Sequence, residues 1–366
     1  MIYLDNGATS FPKPKPVTEA VQQAMIRCGN PGRGGHEAAA EAEKIVFGCR
    51  EAAGNLFHCQ PEQVVLTGNC TQGLNMAIGS LFFPGDRVVI SGFEHNAVTR
   101  TLHGRGIKSV AAGRKLFDWE DTLQAFEDAL DRGASGAVFT QISNVFGYIL
   151  PIEQMAEMCR ERKLPFVLDA AQSAGTTDLN FESLGAEFVA MPGHKGLLGP
   201  MGTGLLLCRK PGKPLFFGGT GTRSRDPDMP DFLPEQLEAG TPNVPGIAGL
   251  LAGIKLVEKL GPEKIGEREK RQAALAGEGL KNLGMQVFSG PHQAGTVSFI
   301  PGGDCEEMAA LLAQEKIAVR AGLHCAPLAH DSAGTLQTGT VRVSFGLQAD
   351  FSQTEALLQG VSKGSI

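Results

Sequence analysis

The 366-residue sequence lacks the marks of several large protein classes. Its net charge is −6 and no basic stripe stands out, so it carries no electrostatic footprint for nucleic acid. The eight cysteines (28, 49, 59, 70, 159, 208, 305 and 325) are scattered without a C-x-x-C pair, which fits neither a zinc ribbon nor a small disulfide scaffold. The apolar stretch Gly246–Val257 contains Lys255 and is too short to span a bilayer, and the opening MIYLDNGATS does not read as a signal peptide. A reduced, cytoplasmic setting without membrane or nucleic-acid partners is therefore the expectation. The sequence also has no P-loop, no G-x-G-x-x-G after the first strand, no H-E-x-x-H and no G-x-S-x-G. Asn69-Cys70-Thr71 matches a glycosylation triplet that is common by chance and idle without a secretory signal. No internal repeat or low-complexity tract is present.

Hydrophobic residues make up 42% and charged residues 20%, an ordinary globular composition. The length suggests about two domains. The 48 glycines exceed the usual share of about 7%, which points to many tight turns and close backbone approaches. Apolar runs at Gln63–Thr67, Arg87–Ser91, Gly136–Gln141, Pro165–Asp169, Glu187–Met191 and Gly204–Cys208 read as buried strands. Amphipathic stretches such as His36–Phe57, Thr71–Phe82, Asp118–Asp131 and Ile152–Arg162 read as helices between them. Buried strands alternating with helices predict an α/β fold, its large domain a mostly parallel sheet flanked by helices.

The glycine- and proline-rich segment Gly218–Pro245 breaks the alternation and reads as a long functional loop. Helices at about Gly246–Leu260, Pro262–Leu283, Cys305–Glu315 and Phe351–Val361 follow, with strands at Gln286–Ser289, Thr296–Ile300, Ala318–Ala321 and Thr340–Phe345. These predict a smaller C-terminal α+β domain. The expected division is an N-terminal segment 1–15, a large domain 16–245 and a small domain 246–366. The prolines of Phe11–Pro16 predict extended chain.

In open α/β sheets, ligands bind beyond the carboxyl ends of the strands. Each such end here has an ordinary structural reading and a chemical one. Thr67–Gly73 is a βα turn whose free N–H groups and Thr71 hydroxyl suit a phosphate. Glu94-His95-Asn96 is a helix cap or a ring-stacking histidine, and Ser143–Gly147 reads as a turn with an Asx hydrogen bond. Asp169 is a capping carboxylate, a metal ligand or a partner for a pyridinium nitrogen. Lys195, in Gly193-His194-Lys195-Gly196, is a solvated lysine or a Schiff-base amine, nucleophilic only if its pKa falls. Together these are the parts of a pyridoxal 5′-phosphate site, and their coincidence outweighs the ordinary reading of each.

The stretches Tyr3–Thr9, Arg33-Gly34-Gly35-His36, Glu94-His95-Asn96, Ser143-Asn144-Val145, Asp169–Gln172, Gly193-His194-Lys195, Gly240–Asn243, Arg320–Ala326 and Thr340–Ser344 carry a further signal. In these the chain resembles, essentially end to end, the cysteine desulfurases of the class V aminotransferase superfamily, pyridoxal-phosphate enzymes of fold type I. The resemblance implies that Lys195 carries the cofactor, Asp169 holds its pyridinium, Gln172 its ring hydroxyl, and His95 stacks on the ring. It implies that Cys70 (through its backbone), Thr71 and His194 bind the phosphate, with Thr241 from the partner subunit of a homodimer. Asn144 and Arg342 would hold the substrate carboxylate, and Cys325 would accept the sulfur of L-cysteine before an acceptor protein takes it.

Arg320 and His324 beside Cys325 would favour its thiolate, and either Lys195 or His95 would take the Cα proton. Selenocysteine lyase chemistry, another class V reaction, or a cofactor-bearing sulfur-trafficking scaffold are the alternatives that the resemblance leaves. His324, Cys325 and His330 match no familiar metal spacing, and no metal site is expected. Three positions depart from the family: Pro192 stands where a serine is common, the loop after Lys195 is about one residue longer, and Leu323 replaces a frequent histidine.

Overall fold

Most strands of the central sheet hold nothing that must face water, and their period-two alternation divides their side chains between two cores. A computed structural model describes residues 1–32 and 34–364; Arg33 of the Arg33–His36 stretch lies outside them. A short strand β1 (Ile2–Tyr3) precedes helices α1 (Lys15–Arg27) and α2 (Glu37–Phe57). Strands and helices then alternate: β2 (Val64–Thr67), α3 (Cys70–Leu81), β3 (Arg87–Ser91), α4 (Asn96–Gly104), β4 (Lys108–Ala112), α5 (Trp119–Asp131) and β5 (Gly136–Thr140). After them come α6 (Ile152–Glu161), β6 (Phe166–Asp169), α7 (Phe181–Leu184), β7 (Phe188–Pro192) and β8 (Gly204–Cys208).

These strands form one seven-stranded sheet in the order β2-β8-β7-β6-β5-β3-β4. From β7 to β4 every pairing is parallel, and β8 runs antiparallel to both neighbours. Phe139, Leu168, Val189 and Leu205 point into one core, while their neighbours Val138, Val167, Ala190 and Leu206 point into the other. The expected α/β architecture is therefore the one found.

The chain continues with α8 (Val244–Leu260), α9 (Pro262–Asn282), β9 (Gln286–Phe288), β10 (Thr296–Ile300), α10 (Cys305–Gln314), β11 (Ile317–Ala318) and β12 (Arg320–Gly322). It ends with α11 (Pro327–Ser332), β13 (Thr340–Ser344) and α12 (Phe351–Gly364). A four-stranded antiparallel sheet, β12-β13-β10-β9, encloses a third core of Leu280, Val297, Phe299, Leu312, Val341, Val343 and Leu357.

Three elements differ from the expectations. The segment expected as extended ends in α1, because Pro14 caps the helix and Pro16 sits in its first turn, where no intrahelical N–H is needed. Strand β4 was not expected: it is an edge strand whose first two residues are exposed, so it lacks a buried run. The strand expected over Ala318–Ala321 is two, since β11 pairs with β1 and β12 with β13. Among the described residues no helix is long and apolar enough to cross a membrane.

Candidate active site

The turn between β2 and α3 is built as a helix N-terminus. Asn69 caps it, its side chain accepting from the Gln72 N–H at 2.9 Å. The first N–H groups of a helix have no intrahelical acceptor, which leaves those of Cys70 and Thr71 open beside the exposed Thr71 hydroxyl. That is an anion cradle. The thiol of Cys70 is buried and lies 3.5 Å from Asp169 Oδ1, a contact between positions 99 apart that no local pattern announces.

Asp169 ends β6, where a buried apolar strand meets the cleft. Its carboxylate accepts from the Ala171 N–H at 2.9 Å. Burial pushes its pKa up, while that N–H and the Lys195 charge pull it down. Lys195 follows β7 and is only partly exposed. Its pKa is lowered, first by withdrawal from water and then by Arg342, with Asp169 opposing. This meets the condition for a nucleophilic amine.

The loop after Lys195 folds tightly. Leu198 takes a positive φ of 62°, and the Gly199 N–H returns to the Gly193 carbonyl at 2.8 Å. Helix α8 accepts the loop because it has no side chain at Gly253, where a Cβ would stand 2.3 Å from the Leu197 carbonyl oxygen. Pro192 closes β7 in register with Gly204, at a strand end where a missing N–H is tolerated.

His95 fulfils its ordinary reading: it caps α4, Nδ1 accepting from the Ala97 N–H at 3.0 Å. Burial and then the Lys195 charge push it down to about 4, so at neutral pH it is uncharged with its proton on Nε2. It nonetheless lines one cavity of about 550 Å³ together with Thr71, Asn96, Arg100 and Cys325. Lys195 and Gln172 line another of about 480 Å³, with Gly7, Gln141 and Ser344. Gln172 spends its amide N–H on the Gly7 carbonyl at 3.1 Å. His194 keeps a buried Nδ1 without a partner, while its carbonyl gathers donors from Thr9, Ser10 and Lys13. Thr241 is exposed in the loop ahead of α8.

Arg342 on β13 is 1% exposed, and its guanidinium is divided between two partners. Nη2 donates to Asp5 at 2.6 Å and Nη1 to the Asn144 carbonyl at 3.0 Å, leaving Nε without a partner. The Asn144 side chain turns to the cysteine loop, Nδ2 donating to the His324 carbonyl at 2.8 Å while Oδ1 stays buried and unpartnered. The Asn96 N–H donates to the Cys325 carbonyl at 2.8 Å, so two hydrogen bonds moor the loop to the larger sheet's strand ends. His324 and Cys325 both adopt positive φ (50° and 56°), conformations that non-glycine residues rarely hold unless surrounding contacts impose them.

Cys325 is the one exposed cysteine of the eight. Arg320 reaches its sulfur, Nη2 to Sγ at 3.9 Å. His324 does not supply the second cation expected from the sequence. It is buried with its ring turned inward, Nε2 lying 3.1 Å from the Arg320 carbonyl, and burial pushes it down to about 3. The roles of Asp5 and Glu94 were not expected from the sequence, although both lie in stretches that carry the resemblance. The partner of Asp5 is 337 positions away. Glu94 is fully buried and accepts from the Ser91 N–H and hydroxyl and the Thr140 N–H. Among the described residues no cluster is suited to a metal.

The aminotransferase class-V family model matches residues 2–357. A probable cysteine desulfurase from Pyrococcus abyssi is 34% identical over 381 residues, covering 98% of this chain and 92% of its own. One from Methanothermobacter thermautotrophicus is 30% identical, covering 94% and 89%. The apo structure of a cysteine desulfurase from Thermococcus onnurineus NA1 superposes with a TM-score of 0.91 at 31% identity, covering 100% of this chain and 94% of that one. A cysteine desulfurase from Escherichia coli gives 0.85 at 27% identity, covering 99% and 94%.

Proposed function

The chain belongs to the aminotransferase class-V family, alongside its cysteine desulfurases, and from that premise we propose that it removes sulfur from L-cysteine, yielding L-alanine and a persulfide on Cys325. The observation that carries the reading is an exposed cysteine sharing one cavity with His95 and Thr71, with His95 in turn close enough to feel the charge of Lys195, a lysine of lowered pKa.

The residues present fit pyridoxal 5′-phosphate. A buried carboxylate (Asp169) suits the pyridine nitrogen, a helix N-terminus at Cys70 and Thr71 suits the phosphate, and His194 keeps an unused buried nitrogen. His95 would cover the ring, Gln172 its hydroxyl, and Thr241 would reach the phosphate from a second copy of the chain in a homodimer. When bound, the cofactor supplies an electron sink that acidifies the Cα proton of an attached amino acid.

The chain's own residues divide the remaining work. Arg342 receives the substrate carboxylate, since a planar fork suits that group. Asn144 aligns the fork through its carbonyl. Lys195 is the base for the Cα proton, because His95 Nδ1 is already occupied by the Ala97 N–H. The Cys325 thiolate attacks the substrate sulfur; a sulfur–sulfur bond forms, the carbon–sulfur bond breaks, and its electron pair goes to Cβ, which takes a proton to become the methyl of alanine, while Lys195 returns the proton to Cα. Arg320 beside Sγ is the cation that pairs with the sulfur anion. The persulfide then passes to an acceptor protein, in a reducing, cytoplasmic setting that suits the eight free cysteines.

The test is cysteine-dependent release of alanine and, with a thiol reductant present to cleave the persulfide, of sulfide, with C325A expected to lose at least about a hundredfold in rate. Wild-type sulfide release by C325A would sink the reading. Parallel turnover of selenocysteine decides between the two substrates.

A further inference from the structure

Behind the Cys325 turn lies a file of three buried side chains that the proposed chemistry does not use. Thr335, His330 and His324 are 1%, 0% and 3% exposed. Thr335 Oγ1 lies 2.7 Å from His330 Nδ1, His330 Nε2 lies 3.5 Å from His324 Nδ1, and His324 Nε2 lies 3.1 Å from the Arg320 carbonyl oxygen. The two imidazole planes are within 13° of parallel, and Phe146 packs against the His330 ring.

With all three ring contacts made as hydrogen bonds, the carbonyl end of the file sets their direction. A carbonyl oxygen only accepts, so His324 must carry its proton on Nε2, which leaves its Nδ1 bare in the neutral ring. His330 must then donate from Nε2, leaving its own Nδ1 bare to accept the Thr335 hydroxyl proton. The opposite orientation would need a doubly protonated His324. Burial, reinforced by Arg342, pushes His324 down to about 3, and burial pushes His330 down to about 4, so both rings are neutral. Thr335 Oγ1 also lies 3.4 Å from the His330 carbonyl oxygen, so the direction of the file follows from its three ring contacts taken together.

We propose that Thr335, His330 and His324 form a directed hydrogen-bond relay that holds the positive-φ turn carrying Cys325 in its attacking position, and that they act as positioning residues. The relay grips the Arg320 carbonyl from within, while Asn144 and Asn96 grip the next carbonyls, those of His324 and Cys325, from the other side. A turn with two non-glycine residues at positive φ needs contacts that impose it. The relay also places the Arg320 backbone, and with it the guanidinium that reaches Sγ. This inference rests on Cys325 being the sulfur-accepting nucleophile.

The test compares Thr335→Val, which keeps the shape and removes the hydroxyl proton, with Thr335→Ser, which keeps the proton. In the purified full-length protein without cysteine, the rate of Cys325 alkylation by iodoacetamide is followed by mass spectrometry. T335V should change that rate at least threefold and lower kcat for desulfuration more than it raises KM, and T335S should restore both. Wild-type alkylation and turnover in T335V would overturn the relay.

Should T335V fail to fold, the wild-type protein answers through long-range nitrogen–proton NMR of its imidazoles. Nε2–H tautomers on both His324 and His330 are required, and an Nδ1–H tautomer on either overturns the proposal. Wild-type turnover by C325A would instead remove the nucleophile reading, while the imidazole tautomers still decide the relay.

Discussion

Arg342 and Asp5 meet at 2.6 Å across 337 positions of sequence, one on the last strand and the other just after the first. The arginine is 1% exposed, so the carboxylate is what makes its burial tolerable. Removing one partner of a buried pair strands the other. Asp5→Ala should therefore lower stability by about 3 kcal/mol, the low end of the usual range because Asp5 is one-fifth exposed. Urea denaturation measures this directly, and an unchanged midpoint would show the pair to be idle.

Arg342→Lys keeps the charge and loses the fork. It should raise KM for cysteine by about tenfold or more while leaving the visible absorbance of the loaded protein in place. Steady-state kinetics with absorbance spectra separate this outcome from loss of cofactor.

Gly7 is the floor on which that arginine rests. A Cβ there would stand 3.1 Å from Arg342 Cζ and 3.2 Å from Ser344 Oγ, closer than side chains ordinarily tolerate. Gly7→Ala should shift the guanidinium and raise KM several-fold, with kcat changing less. An unaltered KM would mean that the arginine does not meet the substrate.

Four histidines govern acid tolerance. Burial pushes His95, His194 and His330 down to about 4 and His324 down to about 3. Their folded values lie below the unfolded one of about 6.5, so below that pH the unfolded chain binds protons that the folded chain does not. Their stabilisation is complete above about pH 6.5 and is lost as pH falls toward 4. The urea midpoint should drop clearly between pH 7 and pH 5.

Glu94 has the opposite sign. Burial pushes it up to about 8 against its hydrogen bonds from Ser91 and Thr140. A raised carboxyl contributes most when protonated, fully below its unfolded value near 4.5, and that contribution is lost as pH rises through about 8. Glu94→Gln keeps the accepting oxygen and cannot ionise. The variant should match wild type near pH 5 and exceed it in stability at pH 8.5. Equal midpoints at pH 8.5 would show that Glu94 is ionised without cost.

The sequence was most legible where one physical demand acted locally. Buried strands such as Phe166–Asp169 and Phe188–Pro192 announce themselves because both faces are covered. The polar residues that follow them announce a cleft. Strand β4 stayed hidden because an edge strand is half wet, and α1 because its prolines also suit extended chain. Asp5 with Arg342, Cys70 with Asp169, and the inward turn of His324 were illegible for another reason. Each depends on which distant side chain arrives opposite, and spacing along the chain carries no trace of that.

The pairing of β1 with β11 sets an order of events during synthesis. The first residues leave the ribosome long before the strand that receives them exists. At that stage Arg342, the partner of Asp5, has also yet to be made. The nascent chain thus carries its lysine and its aspartate early but closes its site last, when the amino terminus is stitched down. A deletion of the first ten residues would therefore act on the completed protein as a loosened cleft.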